Sequence, residues 1–414
     1  NGVYAGNLAA ARAVTLESVE GRGATSITGG DIHHCATLGA AVTLDGFTLE
    51  HGCGEQGGGL HVAATGATIR NCLVRACAAP DGAGIYFASG TGTVENCILR
   101  SNQTSGSPGR GGGLFLRPGV EIVGSVLEDN QATEGGGAYL YQGGAVDRCR
   151  VTANLAASGG GLYVFQSGTA VNSLLAGNGA DNGAGAYFNY GGALRHCTLG
   201  GNTAAASGGG VFCKSGTLVQ NTILWDNAAG ADGTNWYNSG TGMTYEHCCT
   251  DPAPPGAGHV TADPRLAADG VHLLYSSPCA DAGKVPDVPV FVDLDGAPRP
   301  VDGSFDGLAA YDIGASEYDP ETADSNGDGV PDGWCHGFGL DPLLPGLADG
   351  NPDGDPFTTG EEWTADTNPT NGASFFRITG IQPGPPPGVW VDTSDRRVYT
   401  LQWRERFEEG GWQD

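Results

Sequence analysis

The chain is short of charge, and of positive charge above all. Charged residues make up 16% of it, with 19 basic residues against 46 acidic ones and a formal net charge of -27. Lysine occurs only as Lys214 and Lys284. Such a surface repels nucleic acid and anionic membranes, so no nucleic-acid partner is expected. No run approaches the roughly 18 apolar residues of a membrane span. There is no GxxxxGK[ST] loop, no HExxH, no GxSxG elbow and no CxxC pair. Those gaps remove the common nucleotide, zinc-protease, hydrolase and thiol-metal patterns. A signal peptide is missing too. The opening NGVYAGNLAAARAVTLESV reads as strand sequence, so the true start is expected to lie upstream or to have been removed.

Glycine is abundant, at 73 residues, and it is periodic. A glycine block recurs with its middle residue at 58, 83, 112, 136, 160, 184 and 209, steps of 25, 29, 24, 24, 24 and 25. The one long step contains QTSGSPGR (103–110), read as a surface insertion. A column of small residues keeps the same register: Cys72, Cys97, Ser125, Cys149, Ser173, Cys197, Thr222 and Cys248. Apolar residues stand three before it (Ile69, Val94, Ile122) and two after it (Val74, Leu99, Leu127). All three columns should point inward, which a straight strand of period 2 does not allow. A bend is therefore needed. The residues just before the small column supply it: Asn71, Asn96, Gly124, Arg148, Asn172, His196, Asn221 and His247, mostly types that enter the left-handed region readily. Short strands, one-residue bends and a repeat of about 24 residues predict an all-β chain, a parallel β-helix of about nine or more coils.

Five residues after the small column stand Cys77, Asn102, Asn130, Asn154, Asn178, Asn202 and Asn227. They read as an amide ladder that holds register, with a polar sugar-binding stripe as the other reading. The inward cysteines read as buried thiols acting as small hydrophobes. Cys53 with Cys77, and Cys248 or Cys249 with Cys279, are candidate disulfides that spacing alone does not settle. Aromatics follow the glycine blocks (Tyr86, Phe115, Tyr139, Tyr163, Tyr187, Phe212) and alternate with aliphatics. Facing in or packing coil to coil they are core. Facing out they form a stripe for sugar rings or a protein partner.

With these columns laid out, residues 1–318 resemble the right-handed parallel β-helix proteins of the pectate-lyase-like superfamily, for example over VTLDGFTLEHGCGEQGGGL (42–60). HLLYSSPCADAG (272–283), VDLDGAPRP (292–300) and YDIGASEY (311–318) resemble the closing segment called choice-of-anchor Q. That resemblance implies a large secreted bacterial protein with an anchoring or sorting element, and so a location outside the cell, at the cell surface.

Composition changes at 319. In DPETADSNGDGVPDGW, Asp324, Asn326, Asp328 and Asp332 take the first, third, fifth and ninth places of a calcium loop, with the carbonyl of Val330 at the seventh. Cys335 stands where a glutamate is expected. In NPDGDPFTTGEEW (351–363), Asn351, Asp353 and Asp355 alternate, the carbonyl of Phe357 takes the seventh place and Glu362 the twelfth, with Pro356 replacing the usual glycine. Short acidic side chains two apart converge on one cation, so calcium is the expected cofactor. The stretch through TADTNPTN resembles thrombospondin type 3-like calcium repeats of secreted bacterial proteins. Residues 319–373 are read as these loops and 374–414 as a partial β domain.

No residue is assigned a catalytic role. Arg195, His196 and Asp147 come nearest to a candidate set, but acids in the outward column are isolated and carboxylate pairs at glycosidase spacing are not evident. The expected function is a secreted calcium-binding structural or adhesive surface protein, self-assembling end to end into a homo-oligomer or filament. The alternative is a module that binds or degrades a cell-surface polysaccharide.

Overall fold

The computed structural model describes residues 2–383 and 388–391; the strands expected in VYTLQW lie outside them. The chain divides after Tyr318 into two compact units. The first is a parallel β-helix. Three long sheets run its length, with ten, ten and eleven strands, and every pairing within them is parallel. One starts at Gly2–Ala5 and ends at Ile223–Trp225, so ten coils are stacked. Residues before 46 form the first two of them. Their markers are absent because the first connection runs as a longer loop from Ser18 to Ala24 instead of a one-residue bend.

The bend column behaves as the residue types require. Asn71, Asn96, Gly124, Arg148, Asn172, His196, Asn221 and His247 all have φ between 47° and 57°. A second left-handed bend follows the strands of the next sheet, at His51, Ala76, Ser101, Asp129, Ala153, Gly177, Gly201 and Asp226. Ala76, Ser101 and Ala153 do not announce it. Between the bends the aliphatic columns turn inward: Leu99, Leu127, Val151, Leu175 and Leu199 are fully buried in one continuous core.

The small column does more than fill space. A bend leaves a backbone N–H without a ladder partner, and the next coil's small side chain accepts it. Cys97 N–H donates to Ser125 Oγ (3.0 Å) and Cys149 N–H to Ser173 Oγ (3.1 Å), while Cys72 N–H donates to Cys97 Sγ (3.4 Å). Cysteine, serine and threonine are interchangeable there because each carries one acceptor on Cβ. The asparagine column repeats the device. Asn130 N–H and its Nδ2 both donate to Asn154 Oδ1, each at 3.0 Å, and Asn154 Nδ2 donates to the Leu127 carbonyl at 2.9 Å. These asparagines are fully buried, so they form a register ladder and offer no stripe to a sugar.

Glycine is required where coils approach most closely. A Cβ on Gly137 would lie 2.6 Å from the Gly161 carbonyl oxygen, and Gly135 adopts φ 69°.

All twelve cysteines are thiols. The pairing of Cys53 with Cys77 does not form: Cys77 is buried, its sulfur accepting Gly52 N–H from the coil before (3.4 Å), while Cys53 is half-buried, and both are thiols. Cys279 does meet Cys249, as two hydrogen-bonded thiols rather than a bridge.

After the last strands, residues 262–318 do not extend the rod. They fold back along its flank. Val271, Leu294 and Ala315 pack on Leu174. Asn221 clasps the backbone of Lys284 with both ends of its amide (2.7 and 2.8 Å), and Ala315 N–H donates to Thr198 Oγ1 (3.0 Å).

The second unit, taken by itself, contains two short helices, α1 (Asp332–Gly337) and α2 (Thr359–Ala365), each following an acidic loop. Val330, Cys335 and Leu347 form its small core, with Trp334 and Trp363 against it. A hairpin of Ile378–Gln382 and Gly388–Val391 lies beyond.

Candidate metal centre

The two acidic loops look alike in sequence and differ in what their carboxylates find. In 324–332 the oxygens are answered from within. Asp324 accepts backbone N–H groups of Gly327 (2.9 Å), Asp328 (3.2 Å) and Gly329 (2.7 Å). Asp328 accepts the Asn326 amide (2.9 Å), Val330 N–H (3.1 Å) and Ala348 N–H (3.0 Å). Asp332 is turned to Ser325, accepting its N–H (2.9 Å) and its hydroxyl (2.6 Å). Asp324, Asp328 and Asp332 are not brought together as a three-carboxylate cluster.

In 351–362 they are. Carboxylate oxygens of Asp353, Asp355 and Glu362 lie within 4.8 Å of one another, the single such cluster of three among the described residues. One oxygen of each (Oδ2, Oδ2 and Oε2) is buried with no hydrogen-bond partner. The local fold explains the convergence. Asn351 ties the turn, accepting Gly354 N–H (2.7 Å) and donating to the Asp355 carbonyl (2.5 Å). Phe357 N–H donates to Asp355 Oδ1 (2.7 Å). Thr358 caps α2 in a box with Glu361, and this start to the helix aims the fully buried Glu362 back at the loop. Thr367 holds the other Glu362 oxygen at 3.2 Å. Burial pushes the Glu362 carboxyl up to about 7, helped by the charges of Asp353 and Asp355. Three converging carboxylates, each with one buried oxygen that no donor reaches and with no basic side chain among the described residues beside them, are unfavourable unless a cation joins them. An all-oxygen set of this kind suits a hard divalent ion, calcium before zinc. Asp353, Asp355 and Glu362 would hold it.

The weak catalytic set is not assembled. His196 is fully buried, bonded through Nε2 to Asn221 (3.0 Å), and the Tyr311 ring of the folded-back segment lies 5.4 Å away. Burial and the Arg299 charge hold it well below the usual imidazole range, hence neutral. Asp147 pairs with neighbouring Arg148 at 3.2 Å, and Arg195 stands two rungs along the sheet from it.

The aromatic column points outward yet is largely buried, with Tyr187 half-buried. Tyr139, Tyr163, Tyr187 and Phe212 stack nearly parallel at 5.1, 4.9 and 4.7 Å. Arg110 and Arg117 lie over the rings at the Phe115 end. Each inner ring spends its faces on its neighbours, leaving none to stack on a sugar.

One functional cluster escaped sequence reasoning. Arg299 is buried, forms an ion pair with Glu317 (Nε to Oε2, 2.7 Å), and donates to the Gly314 carbonyl (2.9 Å) and Asn172 Oδ1 (3.2 Å). Asp293 and Asp312, also buried, accept backbone N–H groups of Ala297 (2.9 Å) and Asp281 (2.7 Å). The VDLDGAPRP and YDIGASEY motifs are thus an internal clasp that fixes the folded-back segment to the rod. The motifs themselves were the available signal; the pairing between them was not.

Comparison with known proteins agrees with the coil geometry. The model of the right-handed β-helix region matches residues 15–178 and 57–224, together just over half of the chain. The crystal structure of pectate lyase Pel9A is similar, with a TM-score of 0.40 and 14% identity over 77% of this chain and 86% of that one. No curated protein sequence matches. With ten stacked parallel coils and this match over them, the chain belongs to the right-handed β-helix family.

Proposed function

We propose that this is a secreted, calcium-binding β-helix protein with a structural or adhesive role at a cell surface. The observation that carries the reading is the convergence of three buried, unpartnered carboxylate oxygens from Asp353, Asp355 and Glu362. Their loop departs from the strongest calcium-binding pattern, with Asn351 at the first place and Pro356 at the sixth. Such a site fills at the roughly 0.1–1 mM calcium met by extracellular modules, not at cytosolic levels. The resemblances to thrombospondin type 3-like repeats and to the choice-of-anchor Q segment support the same location. The thiols are compatible with it: burial pushes Cys149 and Cys197 up to about 12, so little reactive thiolate forms near neutrality. In the sheet that carries the aromatic column, the outward rings are committed to stacking from coil to coil, which supports a scaffold rather than a catalyst.

Calorimetric titration of the metal-free protein with calcium tests the metal reading. One site in the wild type that disappears in Glu362→Gln supports it; equal binding by both overturns it. Negative-stain electron microscopy in calcium and in EDTA tests assembly. End-to-end chains that fall apart in EDTA support a filament subunit, and single short rods in both conditions remove that part of the proposal.

A further inference from the structure

Two tight turns of the folded-back segment face each other beside the rod. Residues 266–273 make the first, where Ala267 N–H donates to the His272 carbonyl (2.8 Å). Residues 292–298 make the second, where Asp293 N–H donates to the Ala297 carbonyl (2.9 Å). His272 bridges them. Its Nδ1 lies 2.5 Å from Asp269 Oδ2 in its own turn, and its Nε2 lies 2.9 Å from Asp295 Oδ2 in the other. The remaining Asp269 oxygen accepts the N–H groups of Val271 (3.1 Å) and His272 (3.2 Å), which fixes that carboxylate against the ring. The remaining Asp295 oxygen accepts Arg150 Nη2 of the rod (2.9 Å). Asp269 and Asp295 are thus the charged groups that face the ring, with Arg150 behind Asp295. Asp293, in the second turn, is spent on the backbone N–H groups of Asp295 (3.0 Å) and Ala297 (2.9 Å).

The geometry depends on protonation. A neutral imidazole carries one N–H and one lone pair, and a carboxylate only accepts. With a carboxylate oxygen at each ring nitrogen, the neutral ring would set its lone pair against an anion at one of them. Only the imidazolium donates to both. Burial opposes that charge, but Asp269 and then Asp295 outweigh it and hold the imidazole above its usual range. The side chain is 45% exposed, so its proton exchanges directly with solvent. The bridge also rims an apolar seam. Arg150 and Leu174 are partners on neighbouring strands. Leu174 packs with Val271 and Leu294, which adjoin His272 and Asp295 in the chain, and with Ala315.

We propose that His272 is a pH-sensitive latch: as the imidazolium it ties the two turns to each other and, through Asp295, to Arg150 of the rod, and on losing its proton it keeps Asp269 and lets Asp295 go. The folded chain holds this proton more firmly than the unfolded one. The contribution of the latch is therefore complete below about pH 6.5 and is lost as pH rises through the folded value. This sense is opposite to that of the buried His196. The opening is local: it loosens the two turns and uncovers the seam at Leu174 while the coils stay paired. The latch belongs to the β-helix unit and rests neither on the metal centre nor on the proposed function.

Two measurements on the full chain test it. The first is an NMR titration with ring-labelled histidine, the His272 signal being the one that His272→Gln removes. Its midpoint should lie above about 6.5 and move back towards that value in Asp295→Asn, which keeps the shape of the turn and removes one anion. The second is hydrogen exchange read by mass spectrometry over residues 266–274 and 292–298, corrected for the intrinsic pH dependence of exchange. Between about pH 5.5 and about pH 8, protection of these turns should fall about threefold or more in the wild type, the size expected of a half-exposed ionic bridge, and stay level in His272→Gln. The coil strands, read in the same experiment, should show no such step. A His272 midpoint at or below about 6.5, or a loss of protection that persists unchanged in His272→Gln, overturns the proposal.

Discussion

Two regions of this molecule each gather three carboxylates with oxygens shut off from solvent, and they resolve the cost differently. In the β-helix unit Asp293, Asp312 and Glu317 are gathered around Arg299 and a set of backbone N–H groups. In the acidic unit Asp353, Asp355 and Glu362 converge with no positive group among the described residues beside them. The first cluster is closed on itself and works as a clasp. On the proposed reading the second is completed by an ion from outside. The loop at 324–332 shows the intermediate outcome, an acidic loop whose own backbone and Ser325 satisfy it. Buried acid is therefore not in itself a metal site; what decides is whether the chain provides the counter-charge.

Removing that counter-charge is the most forceful way to break the contrast. Arg299→Ala leaves buried acids without their cation and should destabilise the β-helix unit by about 3–5 kcal/mol, read by denaturant unfolding. Next comes the open cluster. Glu362→Gln should lower calcium affinity at least about a hundredfold, beyond what outer partners of a metal site cost, with little change in β-helix stability. At saturating calcium, about a hundred times Kd, the wild-type acidic unit should gain about 2.7 kcal/mol over its state in EDTA, and the variant should not.

The histidine beneath the clasp gives a smaller effect with a definite sign. His196 is held well below its ordinary range by burial, then by Arg299, with Arg195 adding to this and the Asp312 backbone opposing it. The unfolded chain takes up a proton below about pH 6.5 that the folded one does not, so stability falls as pH drops through that point, by up to about 1.4 kcal/mol per unit. Burial raises the Asp312 carboxyl, with the Glu317 charge adding to the shift, and burial raises Glu317 too; these groups act in the opposite sense. They are present in both proteins, so the difference between wild type and His196→Asn isolates the histidine. That difference should shrink steadily from pH 6.5 to 5; a constant difference would show that His196 titrates normally. The smallest expected effect is on metal binding by the closed loop. Asp332→Ala should leave calcium affinity within about twofold while costing about 1–3 kcal/mol in the acidic unit, because Ser325 loses its acceptor. A large loss of calcium would mean that the 324–332 loop opens to an ion in solution.

Much of the rod is readable before folding. The first bend column is legible because asparagine, glycine and histidine tolerate positive φ, and the structure places all eight members there. The second bend is legible only in part: His51, Asp129, Gly177, Gly201 and Asp226 tolerate positive φ, but Ala76, Ser101 and Ala153 have no preference for it, and there coil stacking imposes it. The cysteine column was seen as small and inward, but its role as an acceptor for the preceding coil's N–H depends on a neighbour about 24 residues away. In the acidic loops, alternation marked both alike. Only the chain path distinguishes them, because Ser325 and Ala348 N–H donate to the first loop's carboxylates, while in the second Phe357 and Thr367 reach one oxygen of Asp355 and of Glu362 and leave the other without a donor.

The sequence by itself determined the repeat: its period, its inward columns, its bends and its glycine positions follow from local sterics and from apolar spacing, which each coil carries within about 24 residues. It also marked two stretches where acids alternate. Tertiary structure decided everything that needs partners distant along the chain. It folded residues 262–318 back so that Arg299 meets Glu317 and Asn172, it placed tyrosine rings face to face until none was free, and it left Asp353, Asp355 and Glu362 together without a counter-charge. The reason is physical: covalent spacing sets which conformations a segment can adopt, but hydrogen-bond satisfaction and charge neutrality are properties of the folded neighbourhood.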